Sequence, residues 1–323
     1  MKISAILLVG GMGSRLMPLT SNTPKPMLEV AGVPFTEHQI RKAAQSGISE
    51  IILATSYKAE LFEPYFGNGE KFGIKIKYAV ESSALGTGGG IRNAAKYLDK
   101  CDLVVIFNGD VLSAHDLTSQ INFHQKNKAD VSLYLTTVLD ARAYGCVELS
   151  SESRVTTFLE KMDNPVSNLI NAGCYIFNPE VIEQIPADQV VSIERESFPA
   201  LLSSGAKLFG YLDNSYWLDI GTPAALVKGS ADLIMGKIYS SATPKHEKDY
   251  LISNTAVVHE GTQISNGSVV GNNVMIESNC QISGSIIGTG AKIGEACKII
   301  DSIIAPNAQI PAGMVIISNY LGF

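Results

Sequence analysis

Apolar positions follow two different rhythms along the chain. Up to residue 236 they form short runs at 3–9, 50–55, 74–80, 102–107, 131–138, 155–159 and 172–177, separated by amphipathic or loop segments. Runs that are apolar on both faces predict strands buried on both sides, and their alternation with helical segments predicts an α/β domain with a mixed sheet. A polar stretch at 237–250, IYSSATPKHEKD at its centre, carries no apolar period and reads as a linker.

Beyond the linker the period becomes six. Val258, Ile264, Val270, Ile276 and Ile282 step by six, as do Ile287, Ile293 and Ile299, then Ile304, Ile310 and Ile316, with five-residue steps only at 282–287 and 299–304. Gly, Asn, Ser and Thr fill the intervals. An aliphatic residue at every sixth position predicts a parallel β-helix over 251–323 whose coils stack their aliphatics inward. The repeat resembles the left-handed hexapeptide helix, used for acyl transfer in some proteins and for assembly in others. His259 is the only histidine of the segment and acyl transfer there needs a catalytic one, so assembly into a homo-oligomer is the expectation.

Composition narrows the partners. A formal charge of −6 with interspersed signs argues against a nucleic-acid stripe or a polybasic membrane patch, which leaves small molecules and copies of the same chain. A strand beginning at residue 3 and the lack of a membrane-length apolar run predict a cytoplasmic protein. Cys101, Cys146, Cys174, Cys280 and Cys297 show no CxxC spacing and read as reduced small residues. His38, His115, His124 and His246 have no partner at metal spacing and read as surface or capping residues.

Candidate chemistry begins at the first strand. Gly10, Gly11 and Gly13 follow it and let backbone amides approach a ligand, while Arg15 and Lys25 supply cations, a combination that suits a polyphosphate. The segment is neither a P-loop, which needs Gly-Lys-Ser/Thr, nor a dinucleotide fingerprint, whose third glycine is replaced by Leu16. Asp110 follows the 102–107 strand, at the end where ligands of α/β sheets bind, and Asp219 lies in YWLDIG at a similar strand end. Each alone could cap a turn; as a pair they offer the hard oxygen donors that Mg²⁺ prefers.

These residues sit within a set of motifs, GGMGSRLMPLTSNTPKPMLEVAG, ESSALGTGGG, FNGDV, FLEKM, INAGCYIF and YWLDIGTP, whose order resembles the sugar-1-phosphate nucleotidyltransferase family. With VSIERESFPALL, the pattern is most similar to mannose-1-phosphate guanylyltransferases. Ser14, Met17 and Met162 depart from the commoner threonine, arginine and proline. The resemblance implies a Rossmann-like nucleotidyltransferase domain at 1–236 with a mainly parallel sheet, a left-handed β-helix at 251–323, and transfer of a nucleotidyl group from GTP to mannose-1-phosphate. Glucose-1-phosphate thymidylyl, uridylyl or adenylyl transfer and a non-catalytic regulatory subunit are the alternatives.

It further implies Mg²⁺ on Asp110 and Asp219, and catalytic roles for Arg15 at the leaving pyrophosphate and Lys25 at the α-phosphate. Nucleotide binding falls to Gly10, Gly11, Gly13, Glu81, Gly86 and Thr87, with the loop after 74–80 cradling the base. Glu81 has two readings, acceptor for guanine's adjacent N–H donors or cap of the turn before Gly86. Sugar-phosphate binding falls to Tyr144, Gly145, Glu160, Lys161, Asn171 and Gly173, with Trp217 as core or site wall. Cys146, beside the sugar loop, reads as a buried filler because the chemistry needs no covalent intermediate.

Overall fold

The computed structural model describes residues 1–322. They pack as two compact units, one made of Met1–Gly11 and Lys42–Trp217, the other of residues 12–41 and the chain from Leu218 onward. Helix α1 (Phe35–Gln45) carries the chain from one unit into the other.

The first unit is built on a nine-stranded mixed sheet. Strands β1 (Ile3–Leu8), β2 (Glu50–Thr55), β3 (Lys75–Val80) and β4 (Leu103–Asn108) are parallel, in the order β4-β1-β2-β3. A short strand β5 (Val111–Ser113) follows β4. Strands β6 (Val131–Thr137), β7 (Gly145–Leu149), β8 (Val155–Glu160), β9 (Leu169–Phe177) and β10 (Leu208–Leu212) complete the sheet, β9 running antiparallel to β4, β6 and β7. Ile6, Ile52, Ile106, Leu133, Tyr175 and Phe198 are fully buried in one core, each such side chain contributing about 1.5–3 kcal/mol of burial free energy. Every apolar run named from the sequence lies on a strand. β7 and β10 do not appear in that reading, because β7 is interrupted by Glu148 and β10 contains Gly210.

Two expectations need correction. Gly86, expected in the loop after 74–80, instead opens helix α2 (Gly86–Ala95). Its glycines are imposed from outside: a Cβ on Gly86 would lie 2.6 Å from the Val191 carbonyl oxygen, and one on Gly89 2.5 Å from that of Gln189. His38, His115 and His124, expected at the surface, are buried. Each has polar partners within the fold: His38 meets the Val30 carbonyl and Ser240 Oγ, and His124 meets Ser132 Oγ and Asn178 Oδ1. His115 stacks on the Tyr134 ring, centroids 4.0 Å apart. His246 does act at a helix end, on the Ile234 carbonyl.

In the second unit the sixfold ladder becomes three parallel sheets of a left-handed β-helix, of five, four and four strands. Ile264, Ile282, Ile299 and Ile316 stack in register on one sheet, Val258, Ile276, Ile293 and Ile310 on the next, and Ile252, Val270, Ile287, Ile304 and Leu321 on the third. All belong to a single core. Helix α4, numbered after α3 (Leu117–Lys126) of the first unit, spans Pro223–Ile234 and packs on the stack so closely that a Cβ on Gly267 would lie 2.6 Å from Ala231 Cβ. The hairpin around Gly32 meets Leu251 of the first coil, and the Ala31 amide donates to Ser230 Oγ of α4 at 2.9 Å. Among the described residues no helix is long and apolar enough to cross a membrane.

Candidate active site

In the first unit, strand register collects the predicted groups at one edge of the sheet. Leu8 pairs with Ala54 and with Asn108, and Thr55 pairs with Val80, so the segments that follow these four parallel strands leave from the same edge. They carry Gly10 and Gly11, Glu81, and Asp110. Gly109 is the residue that permits the turn into Asp110: its amide donates to the Leu8 carbonyl at 3.0 Å, and a Cβ there would be 2.1 Å from that oxygen.

The antiparallel strands bring the residues expected to bind the sugar phosphate to this edge as well. Gly145 at the start of β7 pairs with Glu160 at the end of β8, and Ile170 pairs with Cys146. β9 shifts register between Asn171 and Tyr175, a bulge of the kind that re-aims side chains at sites. Gly173 sits in it at φ 80°, where a Cβ would press 3.0 Å from Val111 Cγ2. Asn171 Nδ2 donates to the Tyr175 hydroxyl at 2.8 Å, which fixes its orientation. Lys161 reaches Glu160 at 3.4 Å, and its amide donates to the Tyr144 carbonyl. The Tyr144 ring meets Trp217 edge-on, centroids 5.3 Å apart, and the indole N–H donates to the Ala172 carbonyl, so Trp217 ties the Tyr144 segment to β9. Burial, then the neighbouring Glu194 charge, raise the Glu160 pKa. Cys146 is buried, its thiol facing the Ala141 carbonyl and pushed up in pKa by burial, as befits a filler.

In the loop expected to cradle the base, Glu81 shows the capping contact, its Oε2 accepting from the Leu85 amide at 3.1 Å while Oε1 faces Gly90. Burial raises its pKa. Thr87 donates to Glu194 Oε2 at 2.7 Å and accepts from the Ile193 amide at 2.9 Å, so its donor is committed inside the protein. Glu194 is a residue that the sequence reading missed. It lies in a single π-helical turn, Ile193–Ser197, a geometry that recurs at functional sites.

The second unit places the cations. Gly13, at φ 65°, starts a short 3₁₀ turn, Ser14–Leu16. Its missing side chain makes room for Lys25, whose Cβ lies 2.8 Å from where a Gly13 Cβ would be, and Lys25 is buried. Arg15 is exposed and lies beside Asp219. A Cβ on Gly221 would be 2.9 Å from Arg15 Nη2 and 2.8 Å from Asp219 Oδ1, and the Gly221 amide donates to that oxygen at 2.7 Å. Gly221 is thus a second residue missed from the sequence, legible only as the glycine two positions after a candidate ligand.

Comparison with known proteins agrees with these motifs. Residues 4–235 match the family model described as nucleotidyl transferase, and residues 246–320 match that described as the GMPPB C-terminal domain. The chain is 49% identical over 271 residues to the mannose-1-phosphate guanylyltransferase of Mycobacterium tuberculosis, covering 84% of this chain and 75% of that one. It is 33% identical over 284 residues to the mannose-1-phosphate guanyltransferase of Yarrowia lipolytica, covering 87% and 73%. Among solved structures, HddC from Yersinia pseudotuberculosis superposes with a TM-score of 0.60 at 28% identity, over 70% of this chain and 97% of that one. Strand-end carboxylates, a buried lysine behind a glycine turn and a family match over most of the sequence lead to one conclusion: the chain belongs to the nucleotidyl transferase family.

Proposed function

We propose that the protein transfers a guanylyl group from GTP to mannose-1-phosphate, releasing pyrophosphate and forming GDP-mannose. The observation that carries this reading is the 49% identity to the Mycobacterium tuberculosis mannose-1-phosphate guanylyltransferase across 84% of the chain. HddC, solved with GMP-PN, lends further support.

The sugar phosphate, with a second pKa of about 6, is already a nucleophile at neutral pH, so no general base is needed. A phosphate oxygen forms a bond to the α-phosphorus and the bond to the β-phosphate oxygen breaks. What opposes this is repulsion between anions, so positioned cations and amides supply the catalysis. Lys25 answers charge growing at the α-phosphate, and its burial strengthens that interaction because water screens it less. Arg15 receives the leaving pyrophosphate, and the amides of Gly10, Gly11 and Gly13 line the phosphates.

Asp110 and Asp219 would hold Mg²⁺, which typically takes one or two protein carboxylates and completes its shell with water and substrate phosphates. Their hard oxygen donors fit it, and when bound it would neutralise phosphate charge. Glu160 accepts from sugar hydroxyls, Lys161 meets the sugar phosphate, and Tyr144, Gly145, Asn171 and Gly173 bound the ring. Gly86 and Thr87 shape the base loop, where Glu81 exchanges the Leu85 amide for the paired N–H donors of guanine.

In functional terms 1–236 acts as the catalytic domain, 237–250 as linker, and 251–323 as an assembly domain joining copies of a cytoplasmic homo-oligomer. The test is competition among GTP, dTTP, UTP and ATP with mannose-1-phosphate, on wild type and Glu81→Ala. Preference for GTP that weakens about 10- to 100-fold in the variant is expected, the cost of an unpaired buried acceptor. Preference for another base in the wild type overturns the guanylyl reading, and an unchanged preference in the variant removes Glu81 from base selection.

A further inference from the structure

A buried polar network of the first unit takes no part in the chemistry above. Lys42, in the last turn of α1, directs its ammonium at a single short segment: the Ser113 carbonyl at 2.8 Å, Ser113 Oγ at 3.2 Å and His115 Nδ1 at 2.9 Å. An ammonium can only donate, so Nδ1 accepts and the ring proton sits on Nε2, where it donates to Gln120 Oε1 at 3.2 Å. Burial holds His115 neutral by taking its pKa well below the usual value, with the Lys42 charge adding to the effect. Gln120 Nε2 in turn donates at 3.5 Å to the carbonyls of Ser132 and Cys174. Burial also lowers the Lys42 pKa to about 8.

The network's reach is what gives it meaning. Ser113 closes β5, the strand that leaves Asp110, and the next residue, Ala114, donates to the Tyr216 carbonyl at 2.8 Å. Cys174 directly follows Gly173 in the β9 bulge. We propose that Lys42 is a positioning residue for the reaction: by directing all of its N–H donors at residues 113–115 it fixes β5, and with it the direction in which the Asp110 carboxylate is presented. The inference rests on the reading of Asp110 as a site carboxylate.

The experiment compares Lys42→Met, which keeps the aliphatic stem and drops the ammonium, with wild type and Asp110→Asn in the full chain, by steady-state pyrophosphate release and by amide hydrogen exchange without substrate. For Lys42→Met we expect kcat to fall about 10- to 100-fold with each KM within about 3-fold, because a displacement near 1 Å at the reacting groups costs this much. Exchange at 111–115 should quicken about 10-fold or more while that of β6 stays unchanged. Wild-type kcat with wild-type exchange at 111–115 overturns the inference, as does a variant whose β6 exchange rises in parallel, since that marks a merely structural role. Activity retained by Asp110→Asn overturns the reading of Asp110, and the exchange pattern of Lys42→Met still decides whether Lys42 holds β5. If Lys42→Met does not fold, Ser113→Ala, which removes only a hydroxyl, is read in the same way with an expected fall of about 3- to 10-fold.

Discussion

The two units position their groups by different physical means. In the sheet unit, Asp110, Glu81 and the Gly10–Gly11 turn are fixed by hydrogen-bonded register, Leu8 against Ala54 and Asn108, in strands whose apolar faces are buried. In the β-helix unit, Arg15 and Lys25 lie on an irregular segment with only short 3₁₀ turns. There the backbone is held by the Ala31–Ser230 bond and by Leu251 against Gly32, and residues 18–29 share with Leu226 and the β-helix residues 286–306 the walls of a cavity of about 350 Å³. A sheet positions residues through its own periodicity. An irregular loop has to be positioned by whatever it packs on, and here that includes the hexapeptide stack.

The largest expected effects separate chemistry from scaffold. Lys25→Ala and Asp110→Asn, one from each unit, should each lower kcat by about 10²–10³-fold, the loss typical of removing one preorganised charge-stabilising group. Their thermal melts should match wild type. A Lys25→Ala enzyme with wild-type kcat and a raised KM would move Lys25 from the transition state to ground-state binding.

Next in size is a change at the scaffold of the cationic loop. Gly267→Ala puts a methyl 2.5 Å from Ala231 Cα at φ 77°. Strain and overpacking together should destabilise by roughly 2–5 kcal/mol in urea unfolding. If the variant unfolds like wild type, the helix does not depend on the stack as described.

Such contacts mark the limit of what could be read from the chain. The sixfold ladder and the strand runs were legible because burial imposes a short period on sequence. Glu194 was not, because its partner Thr87 is remote in sequence and nothing local marks the pair. The α2 helix was hidden by glycines that helix propensity penalises and that the backbone at 189–191 demands. The burial of His38, His115 and His124 was also hidden, since a histidine among polar neighbours looks the same in sequence whether or not a sheet covers it.

Those histidines sharpen the comparison, because both units contain them. Burial lowers the pKa of His38, His115 and His124, so the folded protein binds fewer protons than the unfolded chain once pH falls below the unfolded value of about 6.5. Stability is therefore full above that value and should decline as pH falls from about 7 toward 5, measured as urea unfolding against pH. His115→Gln or His124→Gln should flatten the decline; a slope unchanged in both would place its origin elsewhere. The smallest effect belongs to the exposed pair Lys96–Asp188, 2.8 Å apart, where Lys96→Ala should change stability by less than about 0.5 kcal/mol.

The central claim, that Arg15, Lys25, Asp110 and Asp219 serve guanylyl transfer to a mannose phosphate, is tested most directly by product identity. Purified protein is incubated with Mg²⁺, an equimolar mixture of GTP, dTTP, UTP and ATP, and an equimolar mixture of mannose-1-phosphate and glucose-1-phosphate, and the nucleotide sugars are separated and identified by mass and by their sugar after hydrolysis. The account predicts GDP-mannose as the dominant product, formed together with an equal amount of pyrophosphate. A dominant dTDP-, UDP- or ADP-glucose, or no nucleotide sugar from a folded protein, would contradict it.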